Sequence, residues 1–187
     1  MNDAAIAPRR GWRRWKRWLI GLALVVIAIV ILVGVLTVVI AAPADRPAPT
    51  ENHATAPVTA PALAERLTLL SINLAHGRSD GASQLTTSTA ITRINLGKVA
   101  DLIVREQADL VCVQEADSPS WWSGGFDHLA LVATGADLPW VVRSSHVDGF
   151  GLHYGTGIIG RWSRADGRAH TFRPTPPTFA KGFTVAA

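Results

Sequence analysis

An uninterrupted apolar run near the N-terminus constrains this chain more than any other feature. From Leu19 to Ala42 the sequence reads LIGLALVVIAIVILVGVLTVVIAA, 24 residues without a charged side chain. A helix of that length, rising about 1.5 Å per residue, extends about 36 Å, which is enough to cross the hydrocarbon core of a bilayer with some tilt. The sequence therefore predicts a single transmembrane helix over residues 19–42, in contact with the lipid bilayer.

The residues before this run predict its orientation. Positions 1–18 hold six Lys and Arg residues, one Asp and three Trp residues. Clustered cations favour the cytoplasmic side of a membrane, and Trp side chains favour its headgroup region. We therefore predict a basic cytoplasmic segment at 1–18 and an extracytoplasmic position for everything after Ala42. Cleavage near Ala44, where Ala42-Pro43-Ala44 fits a signal-peptidase pattern, would instead give a secreted protein, although the apolar run is longer than a normal signal.

Composition separates a linker from a domain. Residues 43–62 contain five Pro residues and no apolar periodicity, which predicts an extended Pro/Ala-rich linker. The predicted domain, residues 63–187, has eleven Lys/Arg and eleven Asp/Glu, so the basic excess of the chain lies at its membrane end. This balance argues against a broad cationic face for nucleic acid. The single cysteine, Cys112, excludes an intramolecular disulfide.

The front of the predicted domain reads as strand, helix, strand. Leu67–Leu74 (LTLLSINL) and Asp109–Gln114 (DLVCVQ) are apolar, β-prone runs, and Ile91–Glu106 between them has helical periodicity. The apolar residues that this helix is expected to bury on one face are Ile91, Ile94, Val99, Leu102 and Ile103. A connection this long suits parallel neighbouring strands.

Two polar residues then fall at the same end of these strands. Asn73 and Glu115 follow the two apolar runs, and polar groups at the carboxyl ends of parallel strands can converge on a ligand. Three further strand fragments, at Val141–Arg143, Gly157–Ile159 and Phe183–Val185, are separated by turn-rich segments. The sequence thus predicts a mixed α/β domain with a candidate site at Asn73 and Glu115.

The ordered segments LTLLSINLAHG, ADLVCVQEAD and HYGTGIIGRW resemble the endonuclease/exonuclease/phosphatase superfamily, which includes type I deoxyribonuclease and neutral sphingomyelinases. The resemblance runs from about Leu67 to the C-terminus and implies the front portion of a four-layer α/β sandwich (αββα). It also implies that Glu115 and Asn73 contribute to a site for Mg²⁺ or Mn²⁺. Such hard cations take oxygen ligands and are often held by one or two carboxylates plus substrate phosphate.

The function implied by this resemblance is metal-dependent hydrolysis of phosphodiester or phosphomonoester bonds outside the cytoplasm. A lipid or another small phosphate ester is favoured as substrate, while nucleic acid stays open as a less favoured one. Trp121, Trp122 and Phe126 follow the candidate metal glutamate and either line a substrate mouth, touch a membrane interface or pack a surface helix.

Several family elements have no counterpart in the sequence. No aspartate-x-asparagine motif follows Glu115, and Asp127-His128 comes too early to match the family's near-terminal aspartate-histidine pair. The residues that act as general base are therefore unassigned, and we expect a truncated domain with little or no activity as this fragment. The alternative is a non-catalytic, membrane-tethered binding or scaffolding protein derived from the same fold.

Overall fold

The apolar run forms one long helix, α1 (Arg10–Val39), in the computed structural model, which describes residues 10–52, 66–162 and 166–187. Among these residues, α1 alone is long and apolar enough to cross a membrane. It begins inside the predicted basic segment 1–18 and ends three residues before Ala42. The early start has a simple reason, since Arg, Lys and Trp are all compatible with a helix interior.

Two shorter α-helices and eight strands follow α1 in the described parts of the chain, with two short 3-10 helices between β3 and α2. The helices are α2 (Thr89–Arg105) and α3 (His128–Gly135). The strands are β1 (Asp45–Pro47), β2 (Thr50–Asn52), β3 (Leu69–Asn73), β4 (Leu110–Asp117), β5 (Trp140–Gly149), β6 (Leu152–Gly160), β7 (Gly167–Thr171) and β8 (Gly182–Ala186).

The strands form two sheets. The larger has the order β2-β5-β6-β4-β3, and the smaller has the order β1-β7-β8. Only β3 and β4 are parallel among the described strand pairs, with Asn73 opposite Gln114, as the long helical connection predicts. Helices α2 and α3 pack together and against the larger sheet, while β5 and β6 contact strands of the smaller sheet. The predicted mixed α/β class is confirmed, with helix, sheet and sheet as successive layers.

The first part of the predicted linker is structured instead. Strand β1 pairs antiparallel with β7, and β2 pairs antiparallel with β5, so residues 45–52 contribute to both sheets. Each lies at the edge of its sheet, where Pro is tolerated because one side of the backbone needs no ladder partner. The rest of that predicted linker, residues 53–62, and the predicted boundary at residue 63 lie outside the described residues.

The main core lies between the helices and the larger sheet, where Val111, Val113 and Leu129 are buried. The buried face of α2 differs from the expected one. It consists of Thr92, Leu96, Ala100 and Ile103. The expected core residues Ile91 and Ile94 are 51% and 59% exposed. Thr92 can face inward because its hydroxyl donates to the Ser88 carbonyl, 3.2 Å away, within its own helix.

Candidate active site

A pocket of about 500 Å³ opens at the carboxyl ends of β3 and β4. Asn73 and Glu115 both line it, so the structure brings the two sequence-predicted site residues together. His76, His146, Tyr154 and Lys181 line the same pocket. Parallel pairing of β3 and β4 produces this convergence, because it places the last residues of both strands at one edge of the sheet. The metal role of Asn73 and Glu115 stays a prediction.

Glu115 reaches the pocket through a β-bulge in β4. The register between β4 and β6 shifts between Gln114 and Ala116, and Glu115 has a positive φ of 50°. Val111 and Val113 point into the core, so regular alternation would carry Glu115 into the same apolar interior. The bulge redirects the carboxylate into the pocket instead. A left-handed backbone at a non-glycine residue costs on the order of 1–2 kcal/mol, and such strain concentrates at functional sites.

Asn73 combines a turn role with its place in the pocket. Its Oδ1 accepts a hydrogen bond from the Ala75 backbone amide at 2.7 Å, a local contact that Asn commonly makes in turns. The following residues, Ala75 and His76, also have positive φ angles of 49° and 54°. This sharp turn brings the His76 side chain back over the strand ends.

A buried carboxylate fixes His76. Asp117 Oδ2 lies 2.9 Å from His76 Nδ1, and Asp117 Oδ1 accepts a 2.9 Å hydrogen bond from Trp122 Nε1. Asp117 is only 1% exposed. Because a carboxylate accepts hydrogen bonds, Nδ1 of His76 is the donor, which leaves Nε2 as the other ring nitrogen. That atom lies 3.6 Å from Glu115 Oε2. The Glu115 carboxylate and the His76 ring therefore lie side by side in the pocket.

Aromatic rings form one wall of the pocket. Tyr154 stacks on Trp122 with centroids 5.3 Å apart and meets His76 edge-on at 4.8 Å. Phe179 contacts both Trp122 and Tyr154 edge-on. Burial raises the pKa of the Tyr154 phenol above its usual range, and the negative charges of Asp117 and Glu115 raise it further. Tyr154 is therefore a neutral hydroxyl at physiological pH and is available as a hydrogen-bond donor.

His146 lines the pocket as a buried ring within a hydroxyl network. Its ring nitrogens lie 3.0 Å from Thr171 Oγ1 and 2.9 Å from Thr156 Oγ1. Burial lowers the pKa of His146 to about 4, and the nearby charges of Arg46 and His170 act in the same direction. The ring is therefore neutral near pH 7. Gly182 gives it room, because a Cβ at that position would lie 2.5 Å from the imidazole.

The donor set fits a weakly held, water-rich Mg²⁺ or Mn²⁺ ion. Glu115 would supply one carboxylate and Asn73 an amide group to such an ion. In the described ranges no group of three His, Cys, Asp or Glu side chains is arranged around one metal position. Further ligands for such an ion would be water and substrate oxygen.

Several pocket residues have no clear signal in the sequence. His76 is 8% exposed and lines the pocket. Asp117 is the second residue after Glu115. In a regular strand that spacing would place the two carboxylates on the same face of the sheet. Tyr154 and Lys181 come from β6 and from the residue before β8, so only the sheet order brings them to the site. In the sequence, Tyr154 and Lys181 could be linked to the site only through their position at the ends of turn-rich segments.

Comparisons with known proteins give a limited likeness. No family model matches the sequence, and no curated protein matches it. Among solved structures, an endonuclease/exonuclease/phosphatase family protein from Leptotrichia buccalis C-1013-b is similar, with 13% identity and a TM-score of 0.45. The match covers 65% of this chain and 49% of that protein, so the chain spans about half of its length. A likeness of this extent does not assign a family.

Proposed function

We propose that the pocket is the metal-holding part of a divalent-metal-dependent phosphoesterase, which α1 anchors in a membrane with the domain outside the cytoplasm. The observation that carries this proposal is the placement of Glu115. It is the only carboxylate lining the pocket in the described part of the chain, and a bulge with a strained backbone turns it away from the core. Asn73, His76 and Lys181 meet it there.

The pocket residues have different proposed roles, according to their side-chain chemistry. Glu115 and Asn73 would hold the ion. When bound, Mg²⁺ or Mn²⁺ would polarise phosphoryl oxygens and stabilise charge on the leaving oxygen. Lys181 adds a positive charge at the pocket for a substrate phosphate, and Tyr154 supplies a neutral hydroxyl donor. His76, held through Nδ1 by Asp117, presents Nε2 as a proton acceptor.

The proposed substrate is a phosphodiester or phosphomonoester of a lipid or another small molecule. The equal numbers of acidic and basic residues in 63–187 favour this class over long nucleic acid. The basic residues and Trp side chains at the start of α1 support the cytoplasmic position of the N-terminus.

Metal binding is the first test. Isothermal titration of the full chain in detergent micelles with Mg²⁺ and Mn²⁺ should show binding that is lost in Glu115→Gln. The matched control is Glu106→Gln, because Glu106 is an exposed acid paired with Arg105 at the end of α2, and this variant should bind normally. Metal binding is measured before catalytic turnover. The reason is that the later catalytic motifs of the superfamily that the sequence resembles have no counterpart in these 187 residues.

The outcome separates the two functional classes. Loss in Glu115→Gln with retention in Glu106→Gln would support the metal site and justify assays with aryl phosphate mono- and diesters. A folded wild-type chain that binds neither ion would overturn the proposal and favour a non-catalytic, membrane-tethered binding protein.

A further inference from the structure

The turn between β5 and β6 carries an aromatic residue in an unfavourable place. Gly149 pairs with Leu152, so Phe150 and Gly151 form a two-residue turn, and both have positive φ angles, 51° and 73°. This is the pattern of a type I′ turn, where Asn-Gly is the preferred pair. A bulky residue with positive φ is a backbone outlier. Phe150 is also 73% exposed, so it gains little from burial within the domain.

A second exposed aromatic residue lies beside this turn. Trp121 is 64% exposed, and its backbone amide donates to the Gly151 carbonyl at 3.2 Å. Its ring packs against Gly151, where a Cβ would lie 3.0 Å from Trp121 Cδ1. Phe150 and Trp121 therefore form one exposed aromatic tip at the pocket end of the sheet. We call these two residues the hairpin tip.

The base of this hairpin is fixed to the end of α1. The Asp148 amide donates to the Ile40 carbonyl at 2.8 Å, and Ala41 forms a β-bridge with Val147. Ile40 itself is buried in a cluster with Val147 and Leu152. Phe150 lies two residues beyond Asp148, so the tip lies within about 7 Å of this attachment along the strand.

The last turns of α1 remain apolar on their open side. Val35, Val38 and Val39 are 55%, 52% and 63% exposed, although the domain packs against the other side of the helix through Thr37 and Ile40. If α1 spans a bilayer, these valines meet lipid, and the hairpin is attached directly after them, at Ile40 and Ala41. An exposed aromatic residue at that depth is stabilised by the interface between headgroups and acyl chains.

We propose that the hairpin tip is a membrane-contact surface, with Phe150 and Trp121 seated in the interface of the bilayer that α1 spans. The surface would hold the domain against the membrane at a second point and fix the orientation of the pocket. This inference rests on the anchoring part of the proposed function and is independent of the phosphoester chemistry.

Depth-dependent quenching tests the contact in the full chain. Single cysteines introduced as Val26→Cys, Phe150→Cys and Val104→Cys in a Cys112→Ser background carry an environment-sensitive fluorophore in phosphatidylcholine vesicles with nitroxide-labelled lipids. Val104 is the matched control, since it is an apolar residue 55% exposed at the end of α2, beside the opposite end of the sheet. The Phe150 probe should be quenched at least about twofold more strongly than the Val104 probe, as expected for interfacial insertion.

The three probe positions distinguish the claim that α1 is a membrane anchor from the claim that the hairpin tip contacts the membrane. Quenching at Val26 reports the anchor alone, so an unquenched Val26 probe would remove the membrane helix and this inference with it. Strong quenching at Val26 together with a Phe150 probe that behaves like Val104 would overturn the hairpin contact and leave the anchor intact. A Phe150 probe shielded from aqueous iodide but not reached by the lipid quencher would mean that protein covers the tip.

A second variant removes the Phe150 side chain without disturbing the turn, so a loss of membrane contact could not be blamed on misfolding. Phe150→Asn places the preferred residue in the type I′ turn, so the melting temperature of the protein should stay the same or rise. In the same variant, a probe at Trp121→Cys should lose its lipid quenching and fall to the Val104 value. Undiminished quenching at Trp121 would show that Phe150 does not seat the tip.

Discussion

Two residues at the pocket, Glu115 and His146, are held in states that the fold makes costly. Glu115 has a left-handed backbone in the middle of a strand, and His146 is an imidazole at 2% exposure. The surrounding structure maintains both, through the bulge in β4 and through the threonine hydroxyls around His146. Each residue therefore has a cost in folding stability that can be measured separately from its effect on binding.

Acidification should destabilise the protein through His146. Its folded-state pKa of about 4 lies below the ordinary 6.5, so the unfolded chain takes up this proton first. The contribution of the neutral ring is complete above pH 6.5 and is lost as the pH falls toward 4. Between pH 7 and pH 5 the free energy of unfolding should drop by up to about 2 kcal/mol from this group. Urea unfolding of the full chain in detergent micelles at the two pH values measures the drop.

Variants assign that pH dependence to His146. His146→Gln should reduce it, because one of the groups that gain a proton on unfolding is gone. His153→Gln is the surface control, since the His153 side chain is 35% exposed and lies 2.7 Å from Asp148. His128 also has a pKa lowered by burial and contributes to both variants alike. Equal slopes in His146→Gln and the wild type would contradict the assignment.

At the scale of elements, the end of α2 shows a geometry that its sequence does not favour. The Gln107 amide donates to the Val104 carbonyl and the Ala108 amide to the Ile103 carbonyl, which is the hydrogen-bond pattern of a Schellman motif. Gln107 therefore occupies the position at which glycine is usual, and its φ is 51°. Ile103 and Ala108 are both buried, which completes the apolar contact of the motif.

Gln107→Gly should stabilise the protein by about 1 kcal/mol, because glycine adopts this backbone without a Cβ penalty. Thermal unfolding in micelles should show a higher melting temperature, while Mg²⁺ and Mn²⁺ binding at the distant pocket should not change. Gln107→Ala is the control and should give no gain, since alanine keeps the Cβ. A Gln107→Gly variant less stable than the wild type would mean that the Gln side chain makes a stabilising contact.

The elements differ in how far sequence could predict them. The strands β3, β4, β5, β6 and β8 and the helix α2 have clear apolar patterns, and the long connection correctly predicts the parallel pair. The bulge at Glu115 and the inward face of α2 could not be read in this way. The bulge depends on how β6 pairs with β4. The inward face of α2 depends on the hydrogen bond from the Thr92 hydroxyl to the Ser88 carbonyl. Both are decided by tertiary contacts rather than by local pattern.

The same limit applies to residues 43–52. Their Pro-rich, polar composition is typical of a linker, yet β1 and β2 find edge positions because β7 and β5 have free edges there. The site follows the same rule. Asn73 and Glu115 belong to a local strand-helix-strand unit and are visible in the sequence, whereas Tyr154 and Lys181 reach the pocket only through the order of the sheet.

At the scale of the whole molecule, the apolar helix and the pocket belong to one packed unit. Ile40, directly after α1, is buried at 1% exposure with Val147, Leu152 and Ala180. Tyr154 and Phe179 of the pocket wall, and Trp122 packed against them, are partly buried and contact the same cluster. Cleavage near Ala44 would remove Ile40 and the hydrogen bond from the Ala42 amide to the His146 carbonyl. A domain released by cleavage near Ala44 would therefore lack these contacts.

Ile40→Ala should accordingly lower the free energy of unfolding by about 2–4 kcal/mol, the usual cost of emptying a buried aliphatic site. Ile29→Ala is the matched control in the same helix, because Ile29 is 54% exposed and should cost far less in micelles. Urea unfolding followed by near-ultraviolet circular dichroism reports the aromatic wall of the pocket directly. Equal stability of the two variants would show that α1 is an independent tether, and the domain would then be expected to keep its fold after cleavage near Ala44.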